Sequence, residues 1–214
     1  MQFKLAVNKK HVIIILVMFM KIINLIGSIL LYLFILICIS IFKINNWFYE
    51  SLIYFILIVI LVIINKIKFN SIKFKFTDII HSIFISIIFT ITIIFITNII
   101  NNYYKLPINQ NNIFLEFNNY KLFTISKLFV FLPIIEEIIF RYNFKYINNK
   151  YLYIIISSSI FSLIHLTGTN ETIYFIPYFL LGFMLSFIYV KYNNLLYCIT
   201  CHLLYNLIIL LTII

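Results

Sequence analysis

The sequence predicts an all-α protein, a polytopic membrane helix bundle of about seven transmembrane helices. Hydrophobic residues make up 64% of the 214 positions and charged residues only 10%. The apolar positions are grouped into stretches of bilayer length, which needs about 20 residues per helical span. With Gly and Pro at three each, the composition fits neither a disordered, a fibrous nor a disulfide-framed chain. No linker or internal repeat separates domains, so residues 1–214 read as one integral-membrane domain.

The first apolar run, His11 to Phe42, follows Lys4, Lys9 and Lys10 and superficially resembles a signal peptide, but it is too long and lacks a small-residue cleavage site. It also exceeds one bilayer thickness. It must therefore tilt, protrude or break near Lys21, Asn24, Gly27 and Ser28, with the span at Ile22 to Phe42. Six more spans follow: Trp47 to Asn65, Ile79 to Ile100, Tyr120 to Tyr142, Tyr151 to Leu166, Tyr174 to Val190 and Leu195 to Ile214. The polar stretch Asn101 to Asn119 reads as an outer loop.

The surplus of ten positive charges does not point to nucleic acid, because no basic stripe interleaved with aromatics lies on a polar surface. A cytoplasmic N-terminus puts Lys4, Lys9, Lys10, Lys66, Lys68, Lys73, Lys75, Arg141, Lys145, Lys150 and Lys191 inside. Only Lys43, Lys105 and Lys121 are then outside. Lys21 and Lys127 fall within apolar runs and can snorkel. The wealth of Ile, Asn, Lys, Phe and Tyr suggests an AT-rich genome, and a bacterial plasma membrane is the expected location.

Chemistry enters with the polar residues inside the spans. A carboxylate at the bilayer centre costs at least about 2.5–3.5 kcal/mol, so an acid there is a functional candidate by default. Glu136 and Glu137 lie side by side in an apolar helix, and Arg141, the chain's only arginine, shares a face with Glu137 at i+4. Glu136 points about 100° away, without that partner. Pro133 cannot donate to the Phe129 carbonyl and should kink the helix beside the acids. If the next span forms a hairpin turning at Asn149 and Lys150, Glu136 and His165 lie at equal depth, roughly 20 Å from the turn. His202 and Asn206 share a face of the last span in a comparable layer. His11 and His81, near the inner ends of their runs, read as structural.

Cys198, Cys201 and His202 mimic a haem-attachment motif, but a membrane helix offers no room for a porphyrin, and two thiols with a His on one turn cannot readily close a zinc tetrahedron. Cys38 also lies in an apolar run and says nothing firm about compartment.

Taken together, Glu136-Glu137-Ile-Ile-Phe-Arg141, Phe161-Ser-Leu-Ile-His165 and His202-Leu-Leu-Tyr-Asn206 resemble, in order, the three motifs of the CAAX protease and bacteriocin-processing family of intramembrane proteases. Phe179-Leu-Leu-Gly182 looks like that family's Gly-bearing helix. Asn193 and Asn194 stand where members often carry Gly or Ser, a departure that bears on turn geometry rather than chemistry. The resemblance sets the core at about 120–214 and implies an intramembrane endopeptidase acting on a membrane-associated protein or peptide precursor. It implies Glu136 as general base and His165 as its partner in holding water. His202 and Asn206 would face the oxyanion, and Glu137 and Arg141 would fix Glu136 and balance charge. Glu136, His165 and His202 are also acceptable ligands for a divalent metal such as zinc, and a metal-bound and a metal-free water are both open. A non-catalytic immunity or scaffolding protein, using the same residues as interhelical glue, is the rival expectation. A transporter with a carboxylate–His relay ranks last, since no charged residue recurs in the early spans to build a continuous pathway.

Overall fold

A computed structural model describes residues 2–41, 47–67, 74–104, 108–167 and 171–213, without the side chains of 2–18, 40–41, 108–110 and 213. The orientation argument draws partly on the side chains of Lys4, Lys9 and Lys10 and on Lys43, Lys68, Lys73 and Lys105, which lie outside this description, as do the side chain of His11, Phe42 and Ile214.

Among the described residues the fold is all helical. Helix α1 (Gln2–Ile41) is followed by α2 (Trp47–Ile64), α3 (Phe76–Asn101) and α4 (Ile108–Asn119). A composite helix comes next: α5 (Lys121–Ser126), a π-helical turn (Lys127–Phe131), α6 (Leu132–Glu137) and a second π-helical turn (Ile138–Tyr142). Helices α7 (Lys150–His165), α8 (Phe175–Tyr192) and α9 (Leu195–Ile213) complete the bundle.

The seven expected spans are all present as helix, with adjustments. Five are long and apolar enough to cross a bilayer: Phe19–Ile39, Trp47–Ile64, Phe76–Asn101, Thr172–Tyr192 and Leu195–Thr212. The composite helix is interrupted by its π turns. Helix α7, at 16 residues, reaches only about 24 Å at 1.5 Å per residue, less than the roughly 30 Å hydrocarbon core. Large apolar side chains such as Phe84, Ile91, Phe95 and Leu122 face outward, as lipid contact requires. The chain is an integral membrane protein.

Two expectations are narrowed by the structure. Helix α1 does not break near Lys21 to Ser28 but runs unbroken. The Ser28 hydroxyl bonds back to the Asn24 carbonyl at 2.8 Å, so this residue decorates the helix instead of interrupting it. The segment read as an outer loop contains helix α4, whose Asn-rich sequence lacks the apolar stripe by which a helix is recognised.

Small residues let the C-terminal helices approach closely. A Cβ on Gly182 of α8 would lie 3.0 Å from the Ser158 Cα and 3.2 Å from its carbonyl oxygen on α7. Ser157, Ser158 and Ser162 on α7 and Ser186 on α8 are all buried, a small-residue interface of the kind that packs membrane helices. The Ser186 hydroxyl donates to the Ser157 Oγ at 3.1 Å. Helix α8 ends at Asn193 in the left-handed region (φ 47°), a conformation asparagine tolerates, and the Asn194 Oδ1 accepts the Leu196 N–H at the start of α9. The Asn pair thus performs the turn that Gly or Ser would otherwise provide.

Candidate active site

Helix α6 carries both acids and is bracketed by π turns, a form of irregularity that recurs at functional sites. In the first π turn the Leu132 N–H donates to the Lys127 carbonyl. The next donor in that register would be residue 133, a proline without an N–H, so the Leu128 carbonyl has no backbone partner. The kink expected at Pro133 therefore takes the form of a wide turn just before it.

Glu136 and His165 meet as the hairpin depth predicts, with the His165 Nε2 3.9 Å from the Glu136 Oε2. The His202 Nε2 lies 3.7 Å from the same oxygen. Each imidazole is oriented through its other nitrogen. The His165 Nδ1–H donates to the Phe161 carbonyl at 2.9 Å, and the His202 Nδ1–H donates to the Glu137 Oε1 at 2.9 Å. Both Nε2 atoms are thereby turned toward one carboxylate oxygen without bonding to it, since these separations exceed hydrogen-bond length.

Glu137 works differently. It is fully buried and forms an ion pair with the equally buried Arg141, Nε to Oε2 at 3.1 Å. Arg141 Nη1 donates to the Ser157 Oγ at 2.8 Å, and the guanidinium lies over the Phe161 ring at 5.1 Å. The chain Ser157–Arg141–Glu137–His202 thus runs from α7 through the composite helix to α9. Glu137 holds His202 directly and Arg141 does so through Glu137, whereas the sequence reading assigned both to Glu136.

Asn206 is turned partly aside. Its Nδ2 donates to the Leu128 carbonyl at 2.8 Å, the oxygen orphaned by the π turn and Pro133. Even so, Asn206 lines the same cavity, of about 490 Å³, as Glu136, His165 and His202. The cavity also takes in Asn112, Ile113 and Glu116 of α4.

Other residues of this cavity escaped the sequence reading. Lys127, expected to snorkel, is paired with Glu116 of α4 at 3.0 Å and Glu50 of α2 at 3.5 Å. The Tyr54 hydroxyl donates to the Glu50 Oε1 at 3.2 Å. The Tyr32 hydroxyl, from α1, donates to the Glu136 Oε1 at 3.4 Å. The lone acid Glu50 near the head of an apolar run was the one available signal, and it was passed over in the sequence. Cys198 and Cys201 are buried free thiols.

Two imidazole nitrogens and a carboxylate oxygen suit zinc chemically. Their spacing is wider than zinc asks: neighbouring donors on a tetrahedral ion with bonds of about 2.0–2.1 Å sit roughly 3.3 Å apart. Among the described residues no group of three or more His, Cys, Asp or Glu is arranged to hold a metal ion.

With this geometry in view, comparison with known proteins is informative. Residues 118–208 match the family described as type II CAAX prenyl endopeptidase Rce1-like. This part of the chain is similar to that family. The Rce1-like region contains all six residues singled out from the sequence, Glu136, Glu137, Arg141, His165, His202 and Asn206. A stretch of 66 residues is 39% identical to the UPF0177 protein YxdF of Lactococcus lactis subsp. lactis (strain IL1403). That match covers 30% of this chain and 36% of the relative, about a third of its length. No solved structure matches the chain. Tyr32, Tyr54 and Glu116 lie ahead of the matched region, so the cavity is completed by helices outside it.

Proposed function

We propose that the protein is an intramembrane endopeptidase that hydrolyses a peptide bond of a membrane-associated protein or peptide precursor. The observation that carries this reading is the convergence of the His165 and His202 Nε2 atoms on the Glu136 Oε2 at 3.9 and 3.7 Å inside a cavity. Groups that serve only as interhelical glue close to hydrogen-bond distance, as Glu137, Arg141 and Ser157 do. These three stand apart by a distance that one water molecule bridges.

In this mechanism the water donates to the Glu136 carboxylate and to the lone pair on His165 Nε2. Glu136 takes a proton as the water oxygen attacks the carbonyl carbon, then delivers it to the leaving amine. His202, when protonated, presents Nε2–H to the oxyanion, with the Glu137 carboxylate balancing its charge through Nδ1. The second amide hydrogen of Asn206 is available to the same oxyanion. No step is routed through a metal. An N-terminus in the cytoplasm of a bacterial plasma membrane, as the Lys distribution favours, puts the α4 end of the cavity outside.

The test is Glu136→Gln, which keeps size and most hydrogen bonding. Purified wild type should cleave an internally quenched peptide, either ending in a farnesylated C-a-a-X sequence or carrying an unprenylated hydrophobic leader, and the variant should fold and not cleave. Mass spectrometry of C-termini and leader peptides in cells carrying either form then identifies the substrate. Full activity of the Gln variant would remove Glu136 as base. A cellular phenotype that survives the change would favour the scaffolding alternative.

A further inference from the structure

Helix α1 lies wholly outside the Rce1-like region, yet one of its residues reaches the reacting carboxylate. Leu25, Ser28 and Tyr32 are buried along one stripe of α1 at helical spacing, and Leu36 continues it into the cavity wall. Tyr32 is 5% exposed, and its hydroxyl is the one described side-chain donor on the Glu136 Oε1, at 3.4 Å. The other oxygen, Oε2, is the one that both imidazoles face.

We infer that Tyr32 is a positioning residue for Glu136: it holds Oε1 so that Oε2 is presented to the water between His165 and His202. The argument is one of rotation. A glutamate in a helix keeps freedom about its terminal torsion, which is broad and two-fold, so a carboxylate without an anchor exchanges its oxygens and swings off the imidazoles. Glu137 is anchored on both oxygens, by His202 and by Arg141. Among the described residues Glu136 has no cation on Oε1, and the phenol supplies the missing constraint. The contact is long for an O–H···O bond, as catalytic contacts often are before substrate binds. This inference rests on the endopeptidase reading for its kinetic consequence but not for the contact itself.

The test combines one measurement that needs activity with one that does not. Tyr32→Phe removes only the hydroxyl; kcat on the quenched peptide should fall about 10- to 100-fold with KM unchanged, the range for a hydrogen bond to a charged group. Tyr189→Phe, which removes a buried phenol on α8 away from the cavity, should keep kcat within about twofold. Installing p-aminophenylalanine at position 32 should restore most of kcat and p-fluorophenylalanine should not, a pair of similar size that separates the donor from the packing even if Tyr32→Phe folds poorly. Independently of turnover, the infrared band of the Glu136 carboxylate, isolated with labelled glutamate as the difference from Glu136→Gln, should move when Tyr32 becomes Phe. An unmoved band, or equal kcat for the amino and fluoro forms, overturns the role of Tyr32. A band that moves in a protein that cleaves nothing supports the contact and sinks the endopeptidase reading instead.

Discussion

The Asn206 side chain donates to the Leu128 carbonyl at 2.8 Å because no backbone N–H can: the π turn sends the Leu132 N–H to Lys127, and Pro133 has none to offer. A carbonyl in a membrane interior must find a donor within the protein, so the proline on one helix fixes the need for an amide on another. This predicts strong coupling. Asn206→Leu should cost about 1–3 kcal/mol of unfolding free energy. In a Pro133→Ala background, where an N–H is restored, the cost should shrink by more than half. A double-mutant cycle by denaturant titration in detergent measures it, and additive effects would refute the link.

The two adjacent glutamates should separate cleanly by phenotype. Glu137→Gln strips the fully buried Arg141 of its counter-ion and should destabilise the fold by roughly 3–5 kcal/mol. Glu136→Gln, which loses no ion pair to an arginine or lysine, should stay within about 1 kcal/mol of wild type while abolishing cleavage. Thermal unfolding of the two variants side by side checks the contrast.

At the contact between α7 and α8, Gly182→Ala should cost about 1–3 kcal/mol, because the new methyl meets the Ser158 backbone rather than a flexible side-chain end. His165 sits on the displaced helix, so kcat should fall as well. Stability and turnover are measured on one preparation, and a neutral outcome in both would mean that the helices yield without strain.

Lys127 ties α4 to α2 across the cavity. Its side chain and that of Glu116 are about one-fifth exposed, so the pair is partly screened and should be worth less than about 1 kcal/mol to global stability. Its effect should be local. Lys127→Met should raise hydrogen exchange in α4 severalfold while the exchange of α7 and α8 stays unchanged.

Chelation addresses the metal. Since the Glu136, His165 and His202 donors stand wider apart than zinc asks, purified protein should retain cleavage after exhaustive dialysis against a strong chelator. Loss of cleavage restored by zinc would assign the ion to Glu136, His165 and His202.

How much of this was legible in the sequence depends on whether the contact is local. Glu137 with Arg141, and Glu136 with His165, could be read because i,i+4 spacing and the depth rule of a hairpin are properties of neighbouring segments. Tyr32 with Glu136 could not, because 104 residues separate them and nothing along an apolar helix says which neighbour it will face. Lys127 could not be distinguished from a snorkelling lysine until α4 and α2 brought Glu116 and Glu50 to it.

By itself, then, the sequence determined that the chain lies in a membrane as a helical bundle and that Glu136, His165 and His202 occupy comparable depths, since burial in lipid and helical periodicity act residue by residue. Only the tertiary structure decided which nitrogen faces which oxygen, that Glu137 serves His202, that Asn206 is half committed to a stranded carbonyl, and that α1 and α4 close the cavity. Those outcomes depend on the rotation and packing of helices far apart in the chain, and no local rule encodes them.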